Sequence, residues 1–244
     1  MNLALDGRTA LVMGGSSGLG LAIAQALSRE GVKVMVSARE SERLTDAAAA
    51  VNGIAIPADF AQRGAVSSLV AAALQLLGRV DILVVNSGGP PATTFENTAE
   101  AVWREYHEML WMSAVDSIRV ALPAMRLNGW GRILLISSIS AREPLPRLVV
   151  SSALRAGLHG LVNALSKEVA AAGITVNAVM PGYILTERLA EVSSDRDAIT
   201  AKIPAGRIGA PEELASLVAF LASENAAYVT GQAIACDGGL LNSI

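Results

Sequence analysis

From Thr9 onward, apolar and β-branched residues gather in short runs bounded by glycine, proline or polar residues, and each run gives way to a longer stretch with apolar positions three or four apart. The runs are TALVMG, VKVMVSA, GIAIPA, DILVVN, GRILLIS and ITVNAVM, with QAIACD as a seventh. Near-continuous apolar runs of this length, bounded by turn residues, read as strands buried on both faces. Between them, helical spacing predicts helices over 18–30, 41–50, 61–78, 99–128, 148–172 and 211–222. A strand followed by a helix, repeated, is the pattern of an α/β protein with a parallel sheet covered on both sides. The last helix has the clearest start: PEELASLV places Pro211 at a first helical position, where no N–H is needed, and Glu212 and Glu213 where they complement the helix dipole.

Two irregular stretches, NSGGPPATTFENT and PGYILTERLAEVSSDRDAITAKIPAGRIG, each follow a predicted strand. Ligands of doubly wound sheets lie beyond the carboxyl ends of the strands, so these stretches should border a site. The 244 residues fit one large domain, and the even composition along them favours one over two. With 52% hydrophobic and 17% charged residues, the chain can fill a large core and is not of the disordered class.

A net charge of −3 offers no electrostatic footing for nucleic acid or an anionic membrane, which leaves small molecules or copies of the same chain as partners. Cys236 is the sole cysteine and no metal-ligand cluster accompanies it, so no metal is expected and a reducing, cytosolic setting is. Asp6 and Arg8 fall where a signal peptide would need an apolar core, and none is expected. The uncharged run from Thr9 to Ser28 is broken by GGSSG, which predicts a turn in place of a membrane span.

That turn carries the first chemistry. In MGGSSGLGLAIAQAL, the small residues Gly14, Ser16, Ser17, Gly18 and Gly20, with Leu19 among them, join a strand to a helix as candidate cofactor-binding positions. Small residues there let backbone amides approach a pyrophosphate, and the helix N-terminus adds partial positive charge. A merely tight turn is the competing explanation. The second strand ends VSARE, with Arg39 where an adenosine ribose would sit and Ala38 where an acid would hold a free 2′-hydroxyl. An arginine at that place neutralises a 2′-phosphate, which favours NADP over NAD, against the alternative of a solvated arginine at a strand end.

These features, together with PADF, DILVVNSGG, GRILLISS, ITVNAVMPGYILT and YVTGQAIACDGG in that order, resemble the short-chain dehydrogenase/reductase family, and within it the 3-oxoacyl-acyl-carrier-protein reductase-like branch. The likeness spans nearly the whole chain. It implies a single-domain Rossmann-like sheet of seven strands in the order 3-2-1-4-5-6-7, assembled as a homotetramer. It also implies that Asp59 and Phe60 flank the adenine, that Asn86, Ser87 and Gly88 line the adenosine ribose, and that Pro181, Gly182, Ile184 and Thr186 border the nicotinamide. Met13 stands in place of the family's threonine, and VNSG at 85–88 in place of its N-N-A-G.

The catalytic pattern departs further. Family members carry Y-x-x-x-K beginning thirteen residues after the catalytic serine; counted from Ser138, those places hold Ser151 and Arg155. The surrounding ALRAGLHGLVNALSKEV keeps the family register without a gap, and the family's asparagine on the preceding helix aligns with Leu110. Hydride transfer to a carbonyl creates an alkoxide that needs a proton. A phenol starts near a pKa of about 10, whereas the hydroxyl of Ser151 is a far weaker acid and stops roughly 5 to 6 Å short of a ketone in the family's pose. Arg155 binds ribose or phosphate oxygens but does not readily release a proton.

Ser138 can still bind a carbonyl oxygen, or serve only the backbone at its strand end. Tyr183, and less so Tyr106 and His107, could stand in as acids, although the wall of a pocket or helix packing is the stronger explanation of each; His159 reads as a packed or hydrogen-bonded side chain. Three functions remain open from sequence: an NADP-dependent oxidoreductase with another proton route, a nucleotide-binding protein without catalysis, and non-redox chemistry in the same pocket.

Overall fold

The computed structural model describes residues 2–192 and 195–243. Seven parallel strands form its sheet: β1 (Thr9–Met13), β2 (Lys33–Ala38), β3 (Ile54–Pro57), β4 (Ile82–Val85), β5 (Gly131–Ile136), β6 (Ile174–Pro181) and β7 (Ala233–Cys236). Their spatial order is β3-β2-β1-β4-β5-β6-β7, as the resemblance implies. In-register pairs such as Ala10 with Val34 and Val12 with Val84 align the strand ends, so the loops that follow them converge along one edge. The winding reverses between β1 and β4, and a crevice opens at that reversal.

Because successive side chains of a strand point to opposite faces, each run feeds two cores. Val12, Val34, Val84, Leu134 and Val179 pack under α1 (Gly18–Arg29), α2 (Glu42–Ala50) and α9 (Pro211–Ala222). Leu11, Met35, Leu83, Ile133 and Val176 pack under α3 (Ala65–Leu77), α5 (Ser113–Asn128) and α6 (Val149–Val169).

Three boundaries differ from the sequence reading. The helix expected from residue 61 begins at Ala65, because Asp59 Oδ1 accepts the Ala61 N–H in a tight turn and Gly64, at φ +83°, must precede the helix. The helix expected over 99–128 is α4 (Glu100–Tyr106), then a π-helical segment over His107–Met112, then α5, with Leu110 buried in the widened turns. Within the second irregular stretch lie α7 (Glu187–Val192) and α8 (Arg196–Thr200), where Leu189, Ile199 and Ile203 form a small cluster with Tyr183. The expected start of the last helix holds: Pro211 opens α9, and the Glu213 carboxylate accepts the Ala210 N–H at 2.8 Å.

Away from the crevice, at the beginning of β5, Arg132 is 1% exposed. Its guanidinium donates to the carbonyls of Gly131, Gly173 and Ser223 and reaches the Glu224 carboxylate at 3.4 Å. Glu224 also accepts from Trp130 Nε1 at 2.6 Å and Arg8 Nη2 at 3.0 Å, and the guanidinium carbons of Arg8 and Arg132 lie over the indole, 3.8 and 4.2 Å from a ring centroid. One carboxylate thereby neutralises a buried cation and joins the first strand's approach to the end of α9. Glu224→Ala is expected to lower stability by about 1–2 kcal/mol, read as a reduced urea midpoint at an unchanged denaturant slope.

Candidate functional site

A cleft of about 860 Å³ runs along the carboxyl ends of β1, β2, β4, β5 and β6. Its floor at one end is the glycine turn. A Cβ on Gly14 would lie 2.2 Å from the Asn86 carbonyl oxygen, and one on Gly20 would lie 2.0 Å from the Gly14 carbonyl oxygen. Both glycines are therefore fixed by packing of the turn against its own helix and the β4 loop, and Asn86 Nδ2 closes the arrangement by donating to Gly14 O at 3.1 Å. Gly14, Ser16, Ser17, Gly18 and Leu19 face the cleft, whereas Gly20 lies behind them.

Helix α1 begins here without a side-chain cap on Ser17 and without an acid in its first turn. An uncapped helix N-terminus ringed by small residues is suited to an anion. Arg39 lies on the same cleft, exposed, and forms no ion pair among the described residues. Asp59 and the nearly buried Phe60 line the wall next to it, and Ser87 and Gly88 continue the wall from Asn86.

At the other end stand the residues in which the sequence departs from its relatives. Ser138 has extended backbone, and its Oγ accepts from both the amide and the hydroxyl of Ser140, at 3.1 and 3.0 Å. Its oxygen thus caps the short turn after β5 while its own hydrogen remains available to donate. Ser151 and Arg155 lie one turn apart on α6, both buried, and both line the cleft.

Arg155 places its cation among main-chain oxygens. Its Nη1 donates to the carbonyls of Ile136 and Ser137, each at 2.7 Å, and its Nη2 donates to the carbonyl of Gly88. The guanidinium thus ties the end of β5 to the loop after β4. Its Nε has no partner. Burial, with a smaller effect from the nearby Arg188 guanidinium, lowers its pKa to about 10, so it remains cationic at neutral pH. Sequence reasoning assigned this residue to ribose or phosphate; the structure commits much of it to main chain.

One turn further along α6, His159 Nε2 shares a 2.7 Å hydrogen bond with Ser137 Oγ. Arg155 and His159 therefore grip the same residue, one by its carbonyl and the other by its hydroxyl. The rim is stitched in the same manner. Arg188 Nη2 donates to Pro90 O, and Arg147 Nη2 to Ala92 O at 3.2 Å, so with Gly88 three alternate carbonyls are held by arginines from three segments. Thr93 adds a bridge to Leu148, with its N–H on Arg147 O at 2.7 Å.

From the β6 loop, Pro181, Gly182, Tyr183, Ile184 and Thr186 line the opposite wall, and Tyr106 joins from α4. His107 and Leu110 are not on the cleft; Leu110 is 2% exposed in the core. Sequence reasoning missed Arg43, Glu187 and Arg188, which also line the cleft. Their only signal was charge at the start of two predicted or unpredicted helices. Among the described residues no group of His, Cys, Asp and Glu could hold a metal, and no helix is long and apolar enough to cross a membrane.

The profile of a family described as Enoyl-(Acyl carrier protein) reductase matches residues 14–241. The chain is 35% identical over 239 residues to the 3-oxoacyl-[acyl-carrier-protein] reductase FabG of Escherichia coli K12, covering 96% of this chain and 98% of that one. It is 38% identical over 235 residues to the acetoacetyl-CoA reductase of Rhizobium meliloti, covering 95% and 98%. Among solved structures, L-sorbose reductase from Gluconobacter frateurii, complexed with NADPH and L-sorbose, superposes with a TM-score of 0.92 at 32% identity over the full length of both chains.

Burial, followed by the charges of Arg142 and Arg155, holds the His159 pKa below its ordinary value. As pH falls through about 6.5, the unfolded chain takes up this proton first and the folded protein only at lower pH. The stability contributed by the neutral ring is therefore present above that value and is lost below it. The urea midpoint is expected to fall more between pH 7.5 and 5.5 for the wild type than for His159→Gln.

Proposed function

Because the chain belongs to the short-chain dehydrogenase/reductase family, we propose that it is an NADP(H)-dependent oxidoreductase interconverting a carbonyl and a hydroxyl on a small molecule, with a proton route that differs from the family's phenol. The observation that carries this reading is the continuity of one cleft from the glycine turn and Arg39 to Ser138, Ser151 and Arg155. The residues fit the dinucleotide: the α1 N-terminus has neither cap nor acid, and Arg39 is exposed without an ion pair among the described residues, next to Ala38 in place of an acid. The NADPH named with the L-sorbose reductase structure supports the same choice. The cofactor supplies the hydride.

The protein's own residues do the remainder. Ser138, its oxygen occupied by Ser140, donates its hydrogen to the substrate oxygen. Arg155 supplies a fixed positive charge and, through Gly88 and Ser137, sets the width of the cleft floor. Ser151 leaves the space of a phenol ring open to water or substrate. Tyr183, on the wall formed by the β6 loop, is the acid we assign to proton delivery. The homotetramer implied by the resemblance and the cytosolic setting expected from the sole cysteine belong to the same proposal.

A second reading, nucleotide binding without turnover, is favoured by one observation: Arg155 uses its Nη donors on three main-chain carbonyls. The two readings separate on purified protein. NADPH is expected to bind more tightly than NADH by fluorescence titration and to be consumed with at least one member of a ketone, aldehyde and acyl-thioester panel. Ser151→Tyr with Arg155→Lys should raise that rate by about 10²- to 10⁴-fold, and Tyr183→Phe should depress the wild-type rate. Cofactor binding with no consumption across the panel selects the second reading.

A further inference from the structure

Polar groups with unused hydrogen-bonding capacity lie together where α6 meets the end of β5. Arg155 directs three of its five N–H groups at main-chain carbonyls, two from Nη1 and one from Nη2. Its Nε–H has no partner, and Nε and Nη2 share one edge of the guanidinium fork. Ser151, one turn back on the helix, is 7% exposed, and its hydroxyl makes no hydrogen bond among the described residues. Helical residues four apart share a face, with Cβ atoms about 5–6 Å apart, and both of these line the cleft. Ser138 follows Ser137, whose carbonyl lies 2.7 Å from Arg155 Nη1, and its own hydroxyl hydrogen is likewise unused.

Buried polar groups without partners call for an occupant, and the local charge gives its sign. Arg155 forms no ion pair among the described residues, and the neighbouring charge that acts on it is a further cation, the Arg188 guanidinium. Of the acids on the cleft, Glu187 is paired with Arg43, Glu40 and Asp59 lie with Arg39 at the other end, and Glu105 precedes Tyr106 on α4. Water would satisfy the hydrogen bonds and leave the cation unbalanced. A carboxylate does both, and its two oxygens match a guanidinium edge. The length agrees as well. The Ser151 hydroxyl stops roughly 5 to 6 Å short of a ketone in the family's pose. A carboxylate on the neighbouring carbon reaches about 2.4 Å past the carbonyl carbon, and a hydrogen bond adds about 2.8 Å.

We infer that Arg155 and Ser151 form a carboxylate site in the space that the family's phenol fills, and that the substrate is a 2-oxo acid whose ketone oxygen meets Ser138. This rests on the oxidoreductase reading above and names its substrate class. The ketone carbon receives the cofactor's hydride and the ketone oxygen one proton, so a 2-oxo carboxylate, NADPH and a proton become a 2-hydroxy carboxylate and NADP⁺. The carboxylate is unchanged by the reaction and serves to hold the ketone. Esters and thioesters of the same acid lack the charge and are discriminated against.

The probe is oxamate, an unreactive carboxylate with an amide in place of the ketone, titrated by calorimetry into the full chain with and without NADPH. Ethyl oxamate is the uncharged control. Oxamate is expected to bind at least about ten-fold more tightly than the ester. Ser151→Leu, which fills the space, should abolish oxamate binding, and Arg155→Lys, which keeps the charge without the fork, should weaken it about ten-fold. Thermal melting verifies that each variant folds. Equal binding of acid and ester, oxamate binding that survives Ser151→Leu, or no oxamate binding at all, as for a space that holds water only, overturns the inference. An Arg155→Lys effect confined to NADPH would mark the guanidinium as a ribose ligand and overturns it equally. NADPH oxidation with 2-oxobutyrate and with its methyl ester tests the underlying reading separately. Faster consumption with the acid supports both, whereas oxamate binding with no consumption by either sinks the oxidoreductase reading while supporting the carboxylate site.

Discussion

A buried guanidinium without a carboxylate is the constraint on which the cleft depends. Arg155 is held among the carbonyls of Ile136, Ser137 and Gly88, and these oxygens belong to the ends of two neighbouring strands. Removing a cation from water is costly unless dipoles replace its hydration, and the loops after β4 and β5 supply those dipoles only when brought to a common point. The arginine therefore converges both loops, and the floor of the cleft takes its shape from that requirement. His159 secures the same junction from behind through Ser137.

Strand β5 is thus held by an arginine at each end, and the two differ in a manner that suits their places. Arg132, at its start, has Glu224 within 3.4 Å and is screened by an indole; its charge is balanced within the protein. Arg155, at its finish, has carbonyls alone, and its unpartnered Nε retains capacity for a further acceptor. The balanced end is structural, while the unbalanced end borders the cleft and projects a positive field into it.

The sheet was legible from sequence because a parallel strand buried on both faces leaves a plain trace: a short apolar run closed by glycine or a polar residue. The glycine turn was equally plain, since its meaning lies in adjacent residues. What sequence could not disclose was the fate of Arg155, whose partners are main-chain oxygens from loops far apart in the chain. The short helices α7 and α8 were missed for another reason. At six and five residues they are too brief to show a period, and Leu189 and Ile199 are buried by packing with Ile203 and Tyr183 that no local pattern announces. The π-helical segment over His107–Met112 was hidden because its apolar residues continue those of the flanking helices.

That segment amounts to one extra residue inserted into a long helix. Each residue turns an α-helix by about 100°, so the insertion sets the rotational phase between α4, which places Tyr106 on the cleft, and α5, which buries Ala114, Ile118 and Ala121. Shortening the chain by a single residue there would leave α5 seated and swing the α4 face away. The length of this helix is therefore a coordinate of the cleft wall, and a deletion that removes no cleft-lining side chain would still rotate one out of reach.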